Sequence, residues 1–308
     1  MKAPREFSGG QKGDSLPGAE SEPGAAPALH PFLVAPAIGF GRPVCRLGLA
    51  SFVQTAITPE DIFYALDRGV NFLNWPGLAE GPSGGDAFST AVAALGTYRQ
   101  SVVVCAQFGA RGAADAATEL RSALATLGTD YIDVLTCYYV ERAEEWEEIT
   151  AAGGALRYLQ DVKRDGTVRR LGVTSHQRKL AAQMAKSGFL DLVMIRYNAA
   201  HRGAEREVFP VTAPLGLSVI AYTALRWEAL LRPTPDDPPE FLVPRAPDWY
   251  RFVLQHQAVA VTLAAPQTRA ELNEDLQVLE ATGPLSDAEY AALAEHGERV
   301  RRNAGSFV

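Results

Sequence analysis

Eight short apolar runs, each followed by a stretch of helical spacing, constrain this chain more than any other feature. They read CRLGLAS, VNFLNW, SVVVCAQFG, YIDVLTCYY, RRLGVTSH, LDLVMIRYN, LSVIAYTAL and VAVTLAAP, in that order along residues 45–266. The runs are apolar throughout rather than alternating, which is the pattern of a parallel sheet covered on both faces. Between them, residues 59–68, 113–127, 154–165 and 178–187 carry apolar side chains at helical intervals. Eight such units over about 270 residues are the count of a closed (β/α)8 barrel, the TIM-barrel class of α/β folds.

The remaining segments set the boundaries. Residues 1–36 are rich in Gly, Pro, Ala and Ser, lack periodicity, and are expected to form a disordered tail ahead of a single barrel domain over 37–308. One stretch interrupts the barrel pattern: RPTPDDPPEFLVPRAPDW, at about 232–249, has six prolines in eighteen residues. Proline removes a backbone donor and breaks helices, so an irregular loop is expected at the C-terminal mouth, acting as a lid. A final amphipathic helix is expected in DAEYAALAEHGERVRR.

Charge and cysteine usage exclude several functions. Lysine and arginine number 29 against 36 acidic residues, a net charge of -7, which disfavours a nucleic-acid partner. No run approaches the length of apolar sequence that crosses a bilayer, so no membrane partner is expected. No apolar segment follows the early Lys2 and Arg5, so a secretory signal is not expected and the cytoplasm is the expected location. Cys45, Cys105 and Cys137 lie inside apolar runs without metal-ligand spacing. They are expected to be buried free thiols, and no metal site is expected.

The order and spacing of RLGLAS, ALDRGVNFLNW, ALATLGTDYIDVL, VKRDGTVRRLGVTSH, YN and IAYTAL resemble the aldo/keto reductases over nearly the whole folded part. The resemblance implies a barrel that binds NADPH across its C-terminal face. It also implies four catalytic residues at the strand ends: a tyrosine that protonates the carbonyl oxygen, a lysine and an aspartate that lower its pKa, and a histidine that orients the substrate. Carried over by motif, those positions hold Asn74 for the aspartate, Ala79 for the tyrosine, Gln107 for the lysine and Tyr138 for the histidine. All four are substituted. Asn and Gln keep hydrogen-bonding capacity without charge, and Ala79 removes the proton donor.

The cofactor positions diverge too. In TLAAPQTRAELNEDL, Glu271 and Asp275 stand where the resemblance implies a basic residue and an asparagine, with Arg269 close by. Ser175 and Tyr222 match the residues that would hold the nicotinamide, and His176 replaces an amide. Weak NAD(P)H binding, or none, is the expectation.

The other polar groups near the strand ends are Trp75, Glu141, His176, Arg196, Asn198, Arg226 and Trp227. Alternation along VMIRYN puts Met194, Arg196 and Asn198 on one face, and an inward Arg196 would need an anion, either Glu141 or a ligand. Three readings follow. The first is an enzyme on this barrel acting on a small anionic molecule held by Trp75, Arg196, Asn198, Arg226 and Trp227. It would use Tyr138, Glu141 or His176 for acid–base work in place of the tetrad. The second is a divergent NAD(P)H-dependent oxidoreductase with Tyr138 as proton donor. The third is a non-catalytic binding or regulatory protein. The sequence leaves the oligomeric state open.

Overall fold

The structure is a computed structural model that describes residues 28–35, 40–51, 55–77, 86–303 and 305. Eight parallel strands close into a barrel: β1 (Leu47–Ala50), β2 (Phe72–Trp75), β3 (Val103–Phe108), β4 (Ile132–Cys137), β5 (Val168–Ser175), β6 (Leu192–Arg196), β7 (Ser218–Tyr222) and β8 (Val259–Ala264). Closure pairs β8 with β1, Thr262 opposite Leu47 and Ala264 opposite Leu49. Each of the eight apolar runs supplies one strand, and the (β/α)8 expectation holds.

Period-two alternation divides the apolar residues into two cores. Phe72, Val103, Cys105, Val134, Leu192, Met194, Ile220 and Val261 fill the barrel interior. Their neighbours Leu73, Val104, Leu135, Val193 and Val219 pack outward against the helices. One strand glycine has a packing reason: a Cβ at Gly172 would come within 2.5 Å of Leu192 Cδ1 and 2.8 Å of Thr136 Cγ2. Only a residue without a side chain lets the interior close there.

The helices end where local chemistry says they should. Thr58 and Asp61 form a reciprocal capping box at the start of Pro59–Leu66. Helix Ala155–Asp165 stops at Gly166, which takes the left-handed conformation at φ 90°. The expected helices appear as Pro59–Leu66, Ala113–Thr126, Ala155–Asp165, Arg178–Ala185 and Asp287–Asn303. All three cysteines are buried and free, and desolvation pushes the Cys45 and Cys137 thiols up to about 12. Among the described residues there is no cluster of side chains suited to a metal ion, and no helix is long and apolar enough to cross a membrane.

Two expectations need correction. Pro31–Leu33 forms a 3-10 turn and Val34–Ala35 pairs antiparallel with Val44–Cys45, so the ordered part starts earlier than residue 37. Ala35 and Val44 are fully buried and join the interior core, so they escape water as any core residue does. Residues 1–27 and 36 of the expected tail lie outside the described residues.

The proline-rich segment is the second correction. It runs as an irregular loop only to Arg245, since helix Ala246–Gln255 then begins. None of residues 232–245 is among the described residues that line the cavity at the mouth. Asp237 pins the loop to the last helix, accepting from Arg299 Nε (2.6 Å) and His296 Nδ1 (3.0 Å) as well as from the Thr234 amide. Burial opposes ionisation of Asp237, but these donors outweigh it and bring the carboxyl down to about 2. Phe241 stacks on His296 at 4.9 Å. Asp237→Ala should therefore release this latch, lowering the Tm and speeding trypsin cleavage after Arg245. Unchanged proteolysis would show that the loop is held elsewhere.

Candidate active site

Strand parity decides which side chains reach the C-terminal mouth. A cavity of about 670 Å³ opens there, and the inward positions Asn74, Gln107, Tyr138, Thr174, Met194 and Tyr222 line it. The two amides face each other: Gln107 Nε2 donates to Asn74 Oδ1 at 3.2 Å, and Thr174 Oγ1 donates to Gln107 Oε1 at 3.2 Å. This chain of neutral groups is nearly sealed from water, with Asn74 and Gln107 both buried. It fixes side-chain positions but brings no charge to a neighbouring phenol. Ala79, the fourth position, lies outside the described residues.

The same parity removes Trp75 from the site. One residue after Asn74, it points into the outer layer, where its Nε1 donates to Asp86 Oδ2 at 2.9 Å. Ser175, one residue after Thr174, is likewise turned outward and fully buried, its Oγ accepting from the Gln177 amide at 3.0 Å. Tyr222 keeps its place in the lining, with its hydroxyl donating to the Ser175 carbonyl at 3.0 Å.

Glu141 and His176 form a separate group that does not line the cavity. Glu141 Oε1 accepts the His176 amide at 2.6 Å and lies 3.4 Å from His176 Nδ1, while Oε2 accepts from Gln177 Nε2 at 3.2 Å. Burial alone would raise the Glu141 carboxyl, but these donors hold it below the usual range. The His176 ring stacks on Tyr139 at 4.3 Å, and Tyr139 in turn meets Tyr222 edge-on at 6.2 Å.

The cations gather apart from the cavity as well. Neither Arg196 nor Arg226 lines it. Burial lowers both guanidinium pKa values, and each is lowered further by a neighbouring arginine. Burial, then the charges of Arg226, Arg196 and Arg178, push the His201 imidazole down to about 3, so it is neutral at physiological pH. Arg226 also donates to the Gly305 carbonyl at 3.0 Å. Asn198 is fully buried and structural, with its Nδ2 donating to the Thr223 carbonyl and its Oδ1 accepting the Ala200 amide. Trp227 does line the cavity, with much of its ring in solvent.

The cavity has an acidic wall. Glu228, Glu271, Glu274 and Asp275 line it, and no Lys, Arg or His is among the described lining residues. Arg269 turns away, pairing with Asp61 and lying 3.5 Å over the Tyr64 ring. The start of helix Arg269–Leu276 is occupied by the chain's own groups: Thr268 Oγ1 accepts the Glu271 amide and Glu271 Oε2 accepts the Gln267 amide at 2.8 Å. Buried Asp275 is pushed up to about 7 by desolvation, with the Tyr250 hydroxyl opposing and the charges of Glu271 and Glu274 adding to the rise.

Sequence reasoning missed Tyr250, Glu228, Glu274 and Thr174. Tyr250 sits in DWYRFVLQ, whose helical spacing suggests only a packing role. Thr174 was legible, because parity along β5 places it opposite to Ser175. The loop after β7 was not. Thr223, Arg226, Trp227 and Glu228 all adopt positive φ, between 48° and 63°. Four non-glycine residues in that conformation within six positions are costly, and such strain concentrates where a loop shapes a site.

Comparison with known proteins agrees with this architecture. The chain is 31% identical over 112 residues to the uncharacterized oxidoreductase YrpG of Bacillus subtilis, and 24% identical over 111 residues to an NADH-specific methylglyoxal reductase of Escherichia coli. These matches span about a third of this chain and 32% of each relative. The fold superimposes on an aldo-keto reductase from Bacillus halodurans in its holo form, with a TM-score of 0.70, 18% identity, and coverage of 87% of this chain and 96% of that one. An aldo-keto reductase from Klebsiella pneumoniae in complex with NADPH gives 0.66 at 18% identity, covering 83% and 92%. A sequence model of the aldo/keto reductase family matches residues 54–241, more than half of the chain, and the protein belongs to that family.

Proposed function

We propose that this protein is an enzyme that binds a small organic molecule in the mouth cavity and acts on it without the family's Asp/Tyr/Lys/His tetrad. The observation that carries this reading is the acidic wall: Glu271 and Asp275 line the cavity at the positions where the resemblance implies a basic residue and an asparagine. Glu271, joined by Asp275 whenever that carboxyl is ionised, repels the 2′-phosphate of NADPH, and the nearby Arg269 is committed to Asp61. The start of the adjacent helix, which could otherwise hold an anion, is already capped from within. These residues do not fit the phosphorylated cofactor. Among the lining groups, Tyr138 stands at a tetrad position, and Asp275 is a carboxyl raised to about 7, which suits either direction of proton transfer. The cavity, bordered by a strained loop, has the size and mixed lining of a small-molecule site.

A second reading has its own support. A carboxylate can accept the hydroxyls of an unphosphorylated ribose, and Tyr138 and Tyr222 line the same cavity. That is an NADH-dependent reductase with Tyr138 as donor. Fluorescence titration with NADPH and NADH, followed by turnover assays on simple aldehydes, separates the two. We expect no low-micromolar site for either nucleotide and no oxidation. Tight NADH binding, with turnover abolished by Tyr138→Phe, would overturn the first reading and establish the second.

A further inference from the structure

Four carboxylates reach the cavity lining, and two of them have exposed arginine partners that are not among the described lining residues: Glu228 with Arg232 at 2.7 Å, and Glu274 with Arg245 at 3.3 Å. The other two are held by neutral donors. Glu271 takes the Gln267 amide, and Asp275 takes the Tyr250 hydroxyl. Negative charge at these two positions is therefore not offset by any basic side chain among the described lining residues. The Arg196 and Arg226 guanidinium groups belong to another cluster and line no part of this wall.

Five aromatic residues, Tyr138, Tyr139, Tyr222, Trp227 and Tyr250, share the lining with neutral polar and aliphatic side chains. Aromatic faces attract cations through the ring quadrupole, and carboxylates attract them directly. An anionic ligand meets repulsion from the same wall. We infer that the cavity is built for an organic cation, a protonated amine or quaternary ammonium compound. Its charge sits against Glu271 and Asp275, and its carbon skeleton packs on the aromatic rings. This ligand class rests on the reading of the mouth cavity as a small-molecule site. It reverses the charge expected from the arginines in the sequence.

Calorimetric titration of the full chain at pH 8 with 2-phenylethylammonium, 2-phenylethanol and phenylacetate tests the assignment. The three probes are similar in size and differ in charge. The ammonium should bind at least about tenfold more tightly than the alcohol, with phenylacetate weakest. Glu271→Gln, at an exposed position that leaves the core intact, should reduce that preference, and Asp275→Asn should reduce it further. Glu144→Gln, on an exposed helix away from the cavity, should leave it unchanged. Binding of the alcohol with no advantage for the ammonium, or an advantage that survives both cavity substitutions, would overturn the charge assignment alone. Silence from all three probes would overturn the small-molecule reading with it.

Discussion

Replacing Asp133 with alanine is expected to lower the unfolding free energy by roughly 3–5 kcal/mol, because it strands a buried guanidinium group. Asp133 is fully buried and accepts from three arginines: Arg42 Nη2 at 2.9 Å, Arg169 Nη1 at 2.9 Å and Arg99 Nη1 at 2.7 Å. It also takes the Val104 amide at 3.0 Å, so one carboxylate ties β3 to β4 and β5. Arg99 and Arg169 both lie about 4 Å from the Tyr131 ring, at 4.0 and 3.9 Å. Without the carboxylate, the buried Arg99 guanidinium loses its anion and faces Arg42 and Arg169, which keep partial access to water. Asp133→Asn keeps an acceptor and should cost less than Asp133→Ala, though more than a surface change. Urea denaturation measures both. A loss below about 1 kcal/mol for the alanine variant would place this cluster with ordinary surface ion pairs.

The second large effect has the opposite sign. Asp275 titrates at about 7 in the folded chain against an ordinary 3.8. Below the lower value both states hold the proton and the residue carries no penalty. As pH rises toward 7 the unfolded state loses its proton first, so stability falls across that window and stays low above it. A gap of about three pH units corresponds to roughly 4 kcal/mol as an upper bound. Asp275→Asn keeps an acceptor for the Tyr250 hydroxyl and removes the titration. The variant should be more stable than the parent at pH 8, and the advantage should shrink steeply by pH 5. Thermal melts at the two pH values decide this, and a difference independent of pH would remove the buried carboxyl as its cause. Groups held this far from their ordinary range beside a cavity concentrate at functional sites, in keeping with the ligand-binding role inferred above.

Legibility in the sequence followed the length scale of the interaction. Asn74, Gln107, Tyr138 and Tyr222 were placed at the mouth by motif, and the structure puts all four in the cavity lining. Trp75 and Ser175 were misplaced because strand parity was not applied to residues next to an inward position. Arg196 shares the parity of Met194, yet only Met194 reaches the cavity, because a long side chain at a strand end can leave the line its Cα sets.

The sequence alone determined the barrel. Eight apolar runs can escape water together only as a parallel sheet covered on both faces, and that pressure acts through composition and period, both readable along the chain. Only the tertiary structure decided the character of the site. Glu228 and Asp275 are 47 residues apart by number and meet across one cavity, while Arg269, two residues before Glu271, turns to Asp61 instead. Charge in a pocket depends on which side chains face it and which are already paired. Those are facts of three-dimensional approach, and spacing along the chain does not encode them.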